Sequence, residues 1–304
     1  MANITASMVK ELREMTGAGM MECKKALAEV DGDLEKAVDV LRTRGLAAVA
    51  KKAGRATNEG TVMTVLSEDC TSGAMIELNC ETDFVAINDK FKAYAEKITR
   101  AALDAKPADL DALQAAEVDG EAVSAILTDC IHVMGENCQI SRVAEMEAAA
   151  VASYIHGGGK IGVLVNLEVT GGIDATEIGK DMAMQIAALN PRFLDKSQVT
   201  QDVLDEEKKI LLAQMDNDPK MASKPAQVKE KIVVGKLNKF YAENCLLQQA
   251  FVKDGDVTVE QYMNDAAKKL GGSITLKDAV RFEKGEGIEK KQENFAEEIA
   301  KLAK

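Results

Sequence analysis

The stretch Ala74-Met75-Ile76-Glu77-Leu78-Asn79-Cys80-Glu81-Thr82-Asp83-Phe84-Val85 changes character halfway along. Its opening, Ala74 to Leu78, alternates apolar and polar residues and reads as a half-buried strand. Past Asn88-Asp89, Phe91, Tyr94, Ala95 and Ile98 recur at helical spacing. Thr82 to Val85 therefore occupies a turn between a strand and a helix. Turns favour Gly, Pro, Asn, Asp and Ser, yet this one carries an aromatic and a valine beside an acid. Two readings stand side by side. Phe84 folds back onto its own domain while Asp83 caps the turn, or Phe84 is a wedge offered to another macromolecule.

Outward from this stretch the chain repeats itself. Residues 61–66 and 73–80 form a hairpin, helical patterns follow at 89–104 and 121–134, and a strand at 139–147 completes the unit. The order then recurs. Residues 151–155 and 160–169 form a hairpin around Gly157-Gly158-Gly159, helices follow at 176–189 and 259–270, and a strand at 273–283 closes it. Asn79 and Asn166 lie 87 positions apart, whereas Val123, Leu127, Met134 and Gly135 precede Val259, Met263, Leu270 and Gly271 by 136. The surplus of 49 is an insertion in the second copy. Two ββααβ units packed as α+β layers follow from this pattern, with core boundaries at 60–148 and at 149–197 plus 247–284. Only the first copy carries Thr-Asp-Phe-Val; the second has Val169-Thr170-Gly171-Gly172 there.

The flanking segments are helical. Residues 1–45 read as three short helices. Thr5 caps the first, with Met8, Val9, Leu12 and Met15 on one face, and Gly17-Ala18-Gly19 breaks it. The second runs from Met20 to Val30, and Asp31-Gly32 closes it. Asp33 caps the third, with Leu34, Ala37, Val38 and Leu41 on one face and Gly45 as its stop. The trio resembles a ubiquitin-associated-type module, which displays its first inter-helix loop; Met20 and Met21 are candidate contacts there. An Ala/Lys-rich stretch at 46–59 reads as a helical tail and linker. The insertion at 198–246 reads as a protruding antiparallel helical hairpin around Asp216-Asn217-Asp218-Pro219. Val203, Ile210, Leu211 and Met215 form a stripe on its first helix, and Val228, Ile232, Leu237 and Tyr241 on its second. Residues 285–304 hold a last helix with Phe295, Ile299 and Leu302 on one face.

Composition narrows the function classes. The 304-residue chain is 46% hydrophobic and 29% charged, as soluble globular proteins are. Its net charge of −12 argues against nucleic-acid binding, which needs a basic footprint. One basic stretch, Arg42, Arg44, Lys51, Lys52 and Arg55, lacks acids. It is either a solvated linker or a match for an acidic partner surface. No apolar run spans a membrane, and the N-terminus lacks signal-peptide regions, so the cytoplasm is the expected compartment. The six cysteines, with only His132 and His156 beside them, show no zinc-site spacing and read as free, mostly buried thiols. Gly157-Gly158-Gly159-Lys160-Ile161-Gly162 fits Gly-x-Gly-x-x-Gly, but a strand follows where a dinucleotide site needs a helix. The glycines read as a hairpin turn. No phosphate loop, catalytic triad or carboxylate pair is recognisable, so neither enzymatic chemistry nor a bound cofactor or metal is expected.

Four stretches carry a family resemblance: Leu12 to Leu27, Glu77 to Ala86, His156 to Val165, and Arg281 to Lys290. In this order, across nearly the whole chain, they resemble the bacterial elongation factor Ts family. The resemblance implies a guanine-nucleotide exchange factor for the translational GTPase elongation factor Tu, in its GDP-bound and nucleotide-free forms. It implies that Thr82, Asp83, Phe84 and Val85 disturb that partner's Mg²⁺ and nucleotide site. Leu12, Met20, Met21, His156 and Phe295 would hold the partner, and the hairpin would be a variable dimerisation or accessory element. Ile87-Asn88 stands where Lys-Asp is common, and the Gly triplet where some members carry Gly-Ala-Arg; neither departure is expected to touch the wedge. A different class, a dimeric scaffold bridging partners through the helical trio and hairpin, predicts a buried Phe84 and no exchange. A nucleotide-using enzyme rests on the Gly triplet alone.

Overall fold

A computed structural model of the chain describes residues 4–16 and 18–288. The expected last helix and Phe295 lie outside the described residues. The chain is a mixed α+β protein. It opens with three helices, α1 (Ala6–Thr16), α2 (Met20–Glu29) and α3 (Leu34–Lys52). Thr5 caps α1, its hydroxyl accepting from the Met8 amide at 3.3 Å, and Asp33 caps α3 from Lys36 at 3.1 Å. Leu12, Ala18, Cys23, Leu27, Ala37 and Leu41 form their small core.

Two expectations fail in this module. Met15 is 59% exposed, not core. Gly45 does not stop α3: the helical tail expected after it belongs to the same helix, which runs on to Lys52 before the linker. A helical glycine costs about 1 kcal/mol relative to alanine, which the following Leu46-Ala47-Ala48-Val49-Ala50 propensity outweighs. Gly45 also sits where α3 crosses another helix. A Cβ there would stand 3.8 Å from Thr128 and His132.

The core holds two three-stranded antiparallel sheets. In the first, β1 (Glu59–Leu66) and β2 (Ser72–Cys80) form a hairpin. The chain then makes α4 (Asp83–Ala86), α5 (Asp89–Ala105), α6 (Leu110–Ala115), the small ribbon β3 (Glu117–Val118) and β4 (Glu121–Ala122), and α7 (Val123–Met134). It returns as β5 (Cys138–Glu147), giving the order β1-β2-β5. The second sheet is built from β6 (Ala150–His156), β7 (Ile161–Thr170) and β10 (Ser273–Glu283), with β7 central. Between β7 and β10 lie α8 (Thr176–Leu189), α9 (Gln201–Asn217), α10 (Pro219–Ala222), α11 (Ala226–Asn244), the ribbon β8 (Ala250–Phe251) and β9 (Asp254–Thr258), and α12 (Val259–Leu270).

The two sheets pack face to face through Val62, Met75, Met146, Val151, Leu164 and Phe282. Helices cover the outer faces: α5 and α7 over the first sheet, α8 and α12 over the second. This layering corrects the reading of β2, which is buried on both faces. Ala74, Ile76, Leu78 and Cys80 face the helices, whereas Met75 faces the other sheet. Glu77 is tolerated inside because Arg142 of β5 donates to it at 2.7 Å, and the Gly285 amide at 2.6 Å. The glycine triplet is a turn with φ of 59°, 67° and 104°, leading into β7. Its Gly159 carbonyl accepts from the Val62 amide at 2.8 Å. A side chain at Gly159 would collide with Thr61.

Helices α9 and α11 form an antiparallel arm, though its seam differs from the predicted stripes. Leu204, Leu211 and Met215 meet Val233 and Leu237. At the base, Val203 and Tyr241 pack with Val199, Phe240 and Cys245. Ile210 and Val228 are 44% and 40% exposed. Ile210 is one residue off the seam, a rotation of about 100°, which is enough to turn it outward.

Candidate functional site: an exposed apolar turn

The last residues of β2 and the first of β5 are paired, Cys80 with Cys138. Beyond this pair the chain leaves the sheet in an extended conformation at Thr82 and turns sharply into α4. Thr82 caps α4, its hydroxyl accepting from the Val85 amide at 3.4 Å; the cap was expected of Asp83. Asn88 caps α5 three residues after Val85, accepting from the Lys90 amide at 2.9 Å. Two caps this close limit α4 to a single helical turn, so the segment is more ordered than the turn the sequence suggests.

That single turn sorts its side chains. Val85 and Ala86 pack inward on the first core. Asp83 is exposed in the first turn, where an acid suits the helix dipole. Phe84 is 80% exposed. Burying a phenylalanine contributes about 1.5–3 kcal/mol, and this chain forgoes that gain. Ile87, 69% exposed, stands three residues on, on the same helical side as Phe84. Ile87 therefore extends the exposed apolar surface of the turn beyond Phe84.

The base of the turn is held by a residue that periodicity does not reveal. One oxygen of Glu136 accepts from the Glu81 and Thr82 amides, each at 3.0 Å, and the other from the Thr82 hydroxyl at 2.6 Å. Glu81 reciprocates, accepting from the Asn137 amide at 2.6 Å and from Arg55 at 3.3 Å. The Cys80 thiol donates to the Thr82 carbonyl at 3.2 Å. Burial, with Cys138 and Glu136 nearby, pushes that thiol up to about 12, so it stays protonated. A hydrogen bond with Cys138, together with burial, pushes the Cys130 thiol up as well. Protonated, buried thiols are poor nucleophiles. Among the described residues no group of three His, Cys, Asp or Glu side chains could hold a metal ion.

The remaining expected contacts separate. Leu12 is fully buried in the helical module, so it supports that module and offers no contact. Met20 and Met21, 60% and 64% exposed, begin α2. His156 is exposed at the end of β6, its Nδ1 3.2 Å from the Tyr154 hydroxyl. Among the described residues no helix is long and apolar enough to cross a membrane.

The family model described as Elongation factor TS matches residues 81–286, from the base of the apolar turn to just past β10. Elongation factor Ts of Clostridium perfringens strain SM101 is 49% identical over 304 residues, covering 98% of this chain and 99% of the relative. That of Clostridium botulinum strain Eklund 17B is 50% identical, covering 98% of each. With a family model matched over most of its length and relatives of nearly half identity end to end, this chain belongs to the elongation factor Ts family.

Proposed function

We propose that this chain promotes release of GDP from elongation factor Tu, so that GTP can replace it, and that the turn at Thr82–Val85 acts on the partner's Mg²⁺ and nucleotide site. One observation carries the assignment of the turn: Phe84 is 80% exposed on a segment that is otherwise capped and pinned. A scaffold that merely bridges partners predicts Phe84 buried. Linkage supplies the mechanism. A protein that binds the nucleotide-free partner better than the GDP-bound one weakens GDP binding by the same factor. Phe84, with Ile87 beside it, inserts between elements of the partner, and Asp83 offers a carboxylate to polar groups displaced there. Contacts by Met20, Met21 and His156 contribute binding that offsets the cost of opening the site.

The architecture is read in the same way. The helical segment α1–α3 forms a ubiquitin-associated-like module reaching Lys52, beyond the expected limit at residue 45. The regions 60–148 and 149–197 with 247–284 are two copies of one ββααβ unit. Matching strand orders, β1-β2-β5 and β6-β7-β10, support this. The arm at 198–246 is an insertion in the second copy, and 285–304 is a further module.

The test is release of fluorescent GDP from elongation factor Tu. Wild type should accelerate release. Phe84→Ala should lower the maximal rate by about tenfold or more, the equivalent of at least 1.4 kcal/mol of lost differential binding. Complex formation should persist. Equal acceleration by both proteins would remove Phe84 from the mechanism.

A further inference from the structure

We infer that Glu136 is a positioning residue for exchange: its carboxylate holds the Phe84 turn in its presenting conformation before the partner arrives. The inference rests on the reading of Phe84 as the acting side chain. Three donors from two successive residues converge on one carboxylate, the Glu81 and Thr82 amides at 3.0 Å and the Thr82 hydroxyl at 2.6 Å. These are the residues from which α4 is launched. Hydrogen bonds to a charged acceptor are roughly twice as strong as neutral ones. The Thr82 hydroxyl is the pivot, since it donates to Glu136 while accepting the Val85 amide that caps α4. Gly135 aims the carboxylate. Its φ of 76° ends α7 and turns the chain back toward the end of β2.

The second copy shows the same junction without this device. There α12 ends at Gly271, also left-handed with φ of 86°. The next residue is Gly272, where the first copy has Glu136. No carboxylate is present and none would fit. A Cβ on Gly272 would stand 2.2 Å from the Thr170 carbonyl, and one on Gly171 2.9 Å from the Gly271 carbonyl. Backbone lies directly on backbone, and the segment after β7 carries no exposed aromatic. The fold therefore closes this junction without a glutamate. Glu136 is found in the copy that also presents Phe84.

The experiment compares wild type, Glu136→Ala, Glu136→Gln, Phe84→Ala and the double variant in GDP release from elongation factor Tu. Hydrogen exchange of free protein accompanies it. Glu136→Ala should speed amide exchange at 81–87 while leaving the rest of the first sheet protected. It should lower the maximal release rate about tenfold, with less than about a threefold change in half-saturating concentration. Glu136→Gln, which keeps two acceptor lone pairs for the amides, should recover most of the rate. The double variant should be no slower than Phe84→Ala, as expected when two residues act as a unit. A Glu136→Ala protein that exchanges nucleotide like wild type, beside a slow Phe84→Ala, would overturn the role of Glu136 and leave the wedge intact. If Phe84→Ala is itself as fast as wild type, it is the wedge reading that fails. Should Glu136→Ala not fold, Glu136→Asp, one methylene short of the three donors, takes its place with the same expectations.

Discussion

At the scale of single residues, the site lies beside a cluster of buried thiols, Cys80, Cys130 and Cys138. Cys80 donates to the Thr82 carbonyl, and five of the six cysteines are buried, Cys70 alone being half-exposed. A thiol reagent at neutral pH should therefore modify Cys70 first in the native protein and all six only after denaturation. The Cys80 thiol also links folding to pH. Its folded value of about 12 lies above the ordinary 9.0 because burial disfavours the thiolate. The folded chain thus holds this proton more tightly than the unfolded one. The resulting stability is complete below pH 9 and is lost as pH rises toward 12. Melting temperature should fall more steeply over that window in wild type than in Cys80→Ala. Sequence made Phe84 conspicuous, because an aromatic in a turn breaks a local rule. Glu136 was not legible, because its partners lie 54 and 55 positions away and only the pairing of β2 with β5 brings them together. A partial signal lay in the expected repeat, whose offset of 136 sets Gly272 against Glu136.

Among the elements, the most readable were those with both ends punctuated. Helix α12 matches its predicted span of 259–270 because Thr258 and Gln261 form a capping box and Gly271 ends it. The span 176–189 also matches, on periodicity alone. Elements set by neighbours were less readable: β2 looked half-exposed until a second sheet covered it, and α3 seemed to stop at Gly45. The two glycines Gly45 and Gly162 make opposite predictions. Gly45→Ala should stabilise by up to about 1 kcal/mol, since the helix gains propensity and the new methyl makes ordinary contacts. Gly162→Ala should destabilise by about 1–3 kcal/mol through overpacking. Its Cβ would stand 2.4 Å from a Val62 methyl and 2.9 Å from the Met75 sulfur. Urea denaturation of both variants checks the pair.

For the whole molecule, the question is what fastens the parts to one another. Arg142 joins the sheets. It pairs with the fully buried Glu77, donates to the Glu283 carbonyl at 2.7 Å, and stacks over Phe282 at 4.3 Å. Arg142→Ala would leave the buried Glu77 carboxylate with neutral donors but no counter-charge, and removing one member of a buried pair costs about 3–5 kcal/mol. Equilibrium unfolding should show that loss, and Arg142→Lys should restore only part of it, since an ammonium cannot reproduce the fork. The helical module is fastened through α3, where Lys52 donates to the Ile131 carbonyl at 3.3 Å and Val49 packs against the first core. The arm is fastened differently again. Its two feet are tied by the Arg192 and Phe193 amides to the Asn244 carbonyl, and by the Leu246 amide back to Phe193. Topologically, then, everything between those feet is a detour that begins and ends at one place. Whole helical turns added to or removed from both limbs leave every strand of the core in register. The length of the arm is thus a dimension along which the protein can diverge without renegotiating the rest of its fold.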